Sequence, residues 1–77
     1  MKELVEVIAK ALVDSPDEVV VVQNEEEDGT IVLELHVAKE DMGKVIGKKG
    51  RIAKSIRTVV RTAATKKGQK AIVDIVD

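Results

Sequence analysis

The stretch VIGKKGRI, residues 45–52, frames a pair of lysines with Gly47 and Gly50. Glycine carries no Cβ, so the backbone turns sharply there and approaches other groups closely. Gly50 also precedes a long amphipathic segment, and the free N–H groups at a helix N-terminus favour anions. The stretch therefore predicts a junction between two helices that forms an anion site, with Lys44, Arg51 and Lys54 adding charge around the lysine pair.

The segments on both sides of this junction have helical spacing. A short helix is predicted over 42–46, because acidic residues at positions 40 and 41 favour a helix N-terminus. A longer helix is predicted from Gly50 to about Lys67, with an apolar stripe on one side. The cations on its opposite side are Lys54, Arg57 and Arg61.

The rest of the chain predicts one further helix and three strands. A helix over 2–13 precedes β-branched or alternating segments at 19–22, 30–37 and 71–76. Asp28-Gly29 suits a hairpin turn, so the first two strands are antiparallel neighbours, and the helical crossover returns the third strand parallel to a neighbour. The sequence predicts a single α+β domain, residues 1–77, with a three-stranded mixed sheet packed on three helices.

The apolar spacing also predicts which side chains fill the core. The predicted core includes Leu4, Ile8, Leu12, Val20, Leu33, Leu35, Ile46, Ile52, Ile56, Val73 and Ile75. Val45, Ile46 and Ile52 flank the glycine stretch, so they either belong to this core or line a groove beside the anion site, and we expect some of them to do both.

The charge is divided between the two parts of the chain. Residues 1–41 hold three Lys and twelve Asp or Glu, whereas residues 42–77 hold ten Lys or Arg and two Asp. The formal net charge of −1 is therefore the sum of −9 for residues 1–41 and +8 for residues 42–77. This asymmetry indicates a basic surface for a polyanion, although solvated charge that serves solubility is the alternative.

Composition and spacing exclude several other functions. With no Cys and one His, the chain has neither a disulfide framework nor a zinc set, and the acidic run 25–28 suits a solvated turn, so we expect no metal or cofactor. The glycine spacing departs from that of a nucleotide-hydrolysing P-loop. His36, on the outward side of its strand by alternation, is interpreted as a surface residue, and no catalytic site or enzyme activity is predicted. The absence of aromatic residues argues against a base-stacking platform. Interrupting charges leave no signal peptide and no apolar run long enough for a membrane span, so a cytoplasmic location is expected.

VIGKKGRI resembles the KH-domain signature, in which an apolar pair, a G-x-x-G loop and a further apolar residue open a helix. The element order α-β-β-α-α-β over nearly the whole chain resembles the type II KH fold, and the short length and the stretch HVAKEDMGKVIGKKGR, residues 36–51, resemble the stand-alone KhpA-like proteins of bacteria. The resemblance implies a groove for single-stranded RNA, with Gly47, Lys48, Lys49 and Gly50 gripping its backbone. It matches the basic segment 66–70 with a variable loop on the opposite groove wall.

The same resemblance implies partners and a biological role. It implies a homodimer, pairing with a larger KH-containing protein, and RNA chaperone or regulatory activity linked to cell division, cell shape and envelope growth. Two alternatives stay open: a dimerisation module with little RNA affinity, and binding of single-stranded DNA. Val32, Ile72 and Val76 are predicted to point away from the helices and, with Val59 or Val60, are candidates for protein contacts.

Overall fold

The computed structural model of the protein describes residues 1–47 and 50–76. Its helices and strands follow the predicted order. They are α1 (Lys2–Leu12), a 3₁₀ helix (Pro16–Glu18), β1 (Val20–Glu25), β2 (Ile31–His36), α2 (Lys39–Ile46), α3 (Arg51–Lys66) and β3 (Ala71–Val76). The 3₁₀ turn was not predicted; it begins at Pro16, whose fixed φ suits the first position of a helix. The helix α2 begins three residues earlier than predicted and so includes both acidic residues in its first turn.

The sheet has the order β1-β2-β3 and is mixed, as predicted. The strands β1 and β2 pair antiparallel, with Val21 opposite Leu35. The strands β2 and β3 pair parallel, with Leu33 opposite Val73. The helices α2 and α3 form the crossover between β2 and β3, so the glycine junction lies within this crossover.

The core lies between the three helices and one face of the sheet. Leu33, Leu35 and Ile56 are completely buried at its centre, and each contributes about 1.5–3 kcal/mol relative to an exposed side chain. Val73 is buried as predicted, and Ile8, Ile52 and Ile75 pack against this cluster while partly exposed. Leu4 is also partly buried.

Three of the predicted core residues are exposed. Leu12 lies off the inner face of α1, where Val5 and Ala9 are buried. Val20 is 53% exposed because Val19 and Val21 point inward, and four successive valines left the phase of the strand undetermined. Ile46 ends α2 and is 57% exposed, since Val45 occupies the inward position.

The prediction of which side of α3 is buried is confirmed. Its buried side chains recur at helical spacing and are Ala53, Ile56, Val60 and Ala64. Lys54, Arg57 and Arg61 are all exposed. No helix among the described residues is long and apolar enough to span a membrane.

Candidate nucleic-acid interface

The two glycines of the predicted loop meet different steric requirements. A Cβ on Gly47 would overlap the carbonyl oxygen of Gly43, whose carbonyl accepts the Gly47 N–H at 2.8 Å. Gly50 has φ +67°, in the left-handed region that favours glycine. The Gly50 N–H donates to the Gly47 carbonyl at 2.9 Å, which closes a tight turn. Lys48 and Lys49 lie outside the described residues.

The helix α3 starts with its N-terminal N–H groups open to a ligand. Gly50 is its N-cap, and among the described residues no side chain caps this end. The first turn of α3 contains no acidic residue, although α3 is the longest of the described helices. The helix dipole and the free N–H groups therefore create a positive site next to the glycine turn.

The first turn of α2, by contrast, contains two carboxylates, which contact the segment after α1 rather than capping the helix. Asp41 is 1% exposed and accepts the backbone N–H groups of Asp14 and Ser15, each at 3.0 Å. The hydroxyl of Ser15 donates to Glu40 Oε1 at 3.2 Å. These contacts fix α2 to the segment that follows α1, and they thereby hold the helix that leads into the glycine turn.

The predicted basic residues around the turn have different surroundings. Arg51 and Lys54 are exposed at the start of α3. The Nζ of Lys44 lies 3.2 Å from Asp14 Oδ1 and forms an ion pair at the surface. Lys44 is therefore partly neutralised, whereas Arg51 and Lys54 add to the positive field of the helix end.

The three apolar residues predicted at the site differ in how much of each side chain is exposed. Val45 is 1% exposed, so its side chain belongs to the core and lines no open groove. Ile46 is exposed beside the turn and presents an apolar surface there. Ile52 packs partly against the core and is intermediate in exposure, so part of its side chain stays accessible.

Two arginines that the sequence analysis did not assign to the site lie further along α3. Arg57 Nε donates to the carbonyl of Val73 at 3.4 Å, which places it over the free edge of β3. Arg57 and Arg61 line a small cleft of about 140 Å³ with Ala71 and Ile72. The sequence carried a signal for them, because Lys54, Arg57 and Arg61 follow one side of α3 and span roughly 10 Å at 1.5 Å per residue.

A larger cleft lies at the other end of α3. It has a volume of about 510 Å³ and is lined by hairpin carboxylates, including Glu25 and Asp28, as well as by Lys70. The basic segment 66–70 lies here, roughly 24 Å along α3 from the glycine turn. Because carboxylates repel phosphate, this cleft is poorly suited to a polyanion.

The solved structures that this chain resembles have the same fold. It matches the crystal structure of Aquifex aeolicus Era bound to GDP.AlF4- with a TM-score of 0.68 and 22% identity. A second match, with a TM-score of 0.63, is Era in complex with MgGDPNP and nucleotides 1506–1542 of 16S ribosomal RNA. Each match covers 96% of this chain and 28% of the Era chain. The order of elements, the mixed sheet and the glycine turn between two helices define a KH domain of type II.

Sequence relatives define the family. The KH domain of KhpA/KhpB matches residues 2–75. The "RNA-binding protein KhpA" of Clostridium perfringens is 60% identical over 99% of this chain and 100% of its own length. Proteins of the same name from Halalkalibacterium halodurans and Listeria monocytogenes are 55% and 48% identical over the full length of both chains. The chain belongs to the KhpA/KhpB KH-domain family.

Proposed function

We propose that this protein binds single-stranded RNA without catalysis, through the turn at residues 47–50 and the start of α3. The observation that carries the proposal is the uncapped N-terminus of α3, which lacks acidic residues and follows a glycine turn. The relatives named RNA-binding protein KhpA support RNA as the ligand.

The chemistry divides between the RNA backbone and its bases. A phosphate at the turn accepts hydrogen bonds from the free N–H groups of α3, while Lys48 and Lys49 supply positive charge. Arg51 and Lys54 extend that charge along the strand. Ile46 and Ile52 offer apolar surface to the bases, and the guanidinium groups of Arg57 and Arg61 continue the contact toward β3. The chain has no aromatic side chain, so base stacking on protein rings contributes nothing.

The direct test reverses the two lysines of the turn. We expect Lys48→Asp with Lys49→Asp to abolish binding of a fluorescent single-stranded RNA in anisotropy titrations, because two attractive contacts become repulsive. Each lost lysine contact is expected to lower the log-log salt slope by about 0.7. A thermal melt checks that the fold is retained.

The matched control reverses two exposed acids of the hairpin, Glu26→Lys with Glu27→Lys. This change is expected not to weaken RNA binding, since the hairpin lies away from the turn. Unchanged RNA affinity in the double-aspartate variant would refute the proposed site. Parallel titrations with single-stranded DNA of the same sequence address the DNA alternative, because only RNA offers 2′-hydroxyl groups. Absence of binding to both polymers at low salt would favour a pure dimerisation module.

The biological role rests on the resemblance to KhpA-like proteins. We propose a cytoplasmic RNA chaperone or regulator linked to cell division, cell shape and envelope growth. Crosslinking to cellular RNA, followed by sequencing of the recovered RNA, identifies its targets and tests this role.

We also propose a homodimer and pairing with a larger KH-containing protein. The exposed Val59 on α3 supports self-association, since a domain of this size buries a limited core. Sedimentation that shows only monomer at high micromolar concentration would contradict the homodimer.

A further inference from the structure

The face of the sheet opposite the helices is uncovered and has an unusual composition. The strand registers place nine side chains on it in three rows. They are Val20, His36 and Val76; Val22, Glu34 and Asp74; Asn24, Val32 and Ile72. Val20, Val22 and Ile72 are 53%, 40% and 53% exposed, so three of the large exposed hydrophobic residues lie together on this face.

Apart from His36, which is charged only when protonated, the ionisable side chains of this face are acidic. Glu34 and Asp74 are neighbours across β2 and β3 in the middle row. Glu34 accepts a hydrogen bond from Asn24 Nδ2 at 3.2 Å and lies 4.0 Å from His36 Nε2. None of the nine side chains, all within the described residues, is Lys or Arg. The face therefore combines aliphatic surface with an acidic centre.

This combination disfavours two occupants. RNA is repelled by the two carboxylates and finds no aromatic side chain for its bases. A second copy stacked face to face about a two-fold axis would bring the acidic middle rows together, where like charges repel.

We propose that this face, which we call the open sheet face, docks a cationic amphipathic helix of a partner protein. A helix 10–12 Å in diameter matches the roughly 10 Å between the outer strands. Six residues per strand give a length of roughly 20 Å, which a helix of about 13 residues spans. Leucine-like side chains would cover Val20, Val22 and Ile72, and lysines would meet Glu34 and Asp74.

The position of the open sheet face predicts that a partner helix can dock there without blocking RNA binding. The helices pack on the opposite side of the sheet, so a helix docked on the open sheet face leaves the start of α3 accessible. The proposal goes beyond the proposed RNA function and does not depend on it, because its test uses no RNA-binding residue.

The test uses the full chain labelled with ¹⁵N and a synthetic helical peptide of about 14 residues that contains only Leu and Lys in amphipathic order. Amide shifts are expected to change along β1, β2 and β3. Glu34→Lys with Asp74→Lys is expected to weaken peptide binding on the order of tenfold. Glu34→Gln with Asp74→Asn is expected to weaken it less and provides the milder variant if charge reversal impairs folding.

The control Glu26→Lys with Glu27→Lys changes the net charge equally but lies in the hairpin, and it is expected to leave peptide affinity within about twofold. An equal loss in this control, or equally tight binding of a Leu/Glu peptide, would overturn the proposal. The proposal would also be overturned if the peptide shifted only amides of α3, or if single-stranded RNA shifted the same sheet amides. A homodimer crosslinked through Ile72→Cys would overturn it as well. RNA affinity measured on the same variants is expected to stay unchanged, which separates this result from the test of the glycine turn.

Discussion

The helices α2 and α3 follow one another along the chain, yet their N-terminal turns carry different residues. The first turn of α2 contains Glu40 and Asp41, and Asp41 is buried against the backbone of the preceding segment. The first turn of α3 has no acid and begins after a glycine in the left-handed conformation. No side-chain cap is found at the start of either helix among the described residues, but the carboxylates of α2 suit the positive end of its dipole, and the first turn of α3 has no such charge. The helix α2 is therefore tied to the segment that follows α1, whereas α3 begins without an acid of its own.

The largest effect is expected when Asp41, the residue that anchors α2, is removed. Asp41→Ala leaves the N–H groups of Asp14 and Ser15 without their acceptor and is expected to lower the free energy of unfolding by about 2–3 kcal/mol. The exposed neighbour provides the control, because Glu40→Ala removes a surface contact and is expected to cost below about 0.5 kcal/mol. Urea denaturation of both variants measures the difference, and equal stabilities would show that Asp41 is no anchor.

The second prediction compares Gly47, which follows the last residue of α2, with Gly43 inside that helix. Gly47→Ala is expected to cost about 2 kcal/mol, because its Cβ overlaps the Gly43 carbonyl and the end of α2 must shift. Gly43→Ala meets open space inside the helix and is expected to stabilise the protein by about 0.5–1 kcal/mol. Thermal melts check that one variant loses stability and the other gains it. A stabilised Gly47→Ala variant would contradict the close approach.

The third prediction gives α3 an acidic start like that of α2. Arg51→Glu is expected to maintain or raise stability by about 0.3–1 kcal/mol, because a carboxylate suits a helix N-terminus. The same change is expected to weaken RNA binding by about tenfold, since it replaces an attractive charge with a repulsive one. Anisotropy titrations and melts on one preparation separate the two effects. Loss of stability together with affinity would indicate misfolding rather than a damaged site.

The smallest effect concerns an exposed carboxylate that caps a turn rather than a helix. The pKa of Asp28 lies below its usual range, first because Asp28 Oδ1 accepts the Thr30 backbone N–H at 2.9 Å and then because of the Thr30 hydroxyl. A lowered pKa in the folded state means that this contribution to stability is present above the unfolded pKa and disappears as pH falls through the folded value. NMR titration is expected to show the Thr30 amide shifting at a lower pH than an ordinary aspartate titrates. Asp28→Asn is expected to abolish that shift, and its persistence would point to another group.

The sequence predicted the element order, the parallel return of β3 and the outward face of α3, because periodicity and crossover length determine these features. It did not predict the orientation of Val20, since an unbroken run of valines has no alternation. It also missed the burial of Asp41 and the ion pair between Lys44 and Asp14. Both depend on contacts with residues far away in the sequence, which local patterns do not encode. The exposure of Ile46 followed from a helix phase that eight residues define poorly.

The parallel pairing of β2 with β3 determines how late in synthesis the chain can complete its fold. Ile31 pairs with Glu25 across the hairpin, but it also pairs with Ala71, which leaves the ribosome only after both crossover helices. Pairing between distant segments carries the larger loop-closure cost and tends to form late. The hairpin therefore assembles early, while α3 packs against β3, which lies at the end of the chain. A nascent or truncated chain that lacks β3 has the glycine turn in its sequence but not the framework that aligns it.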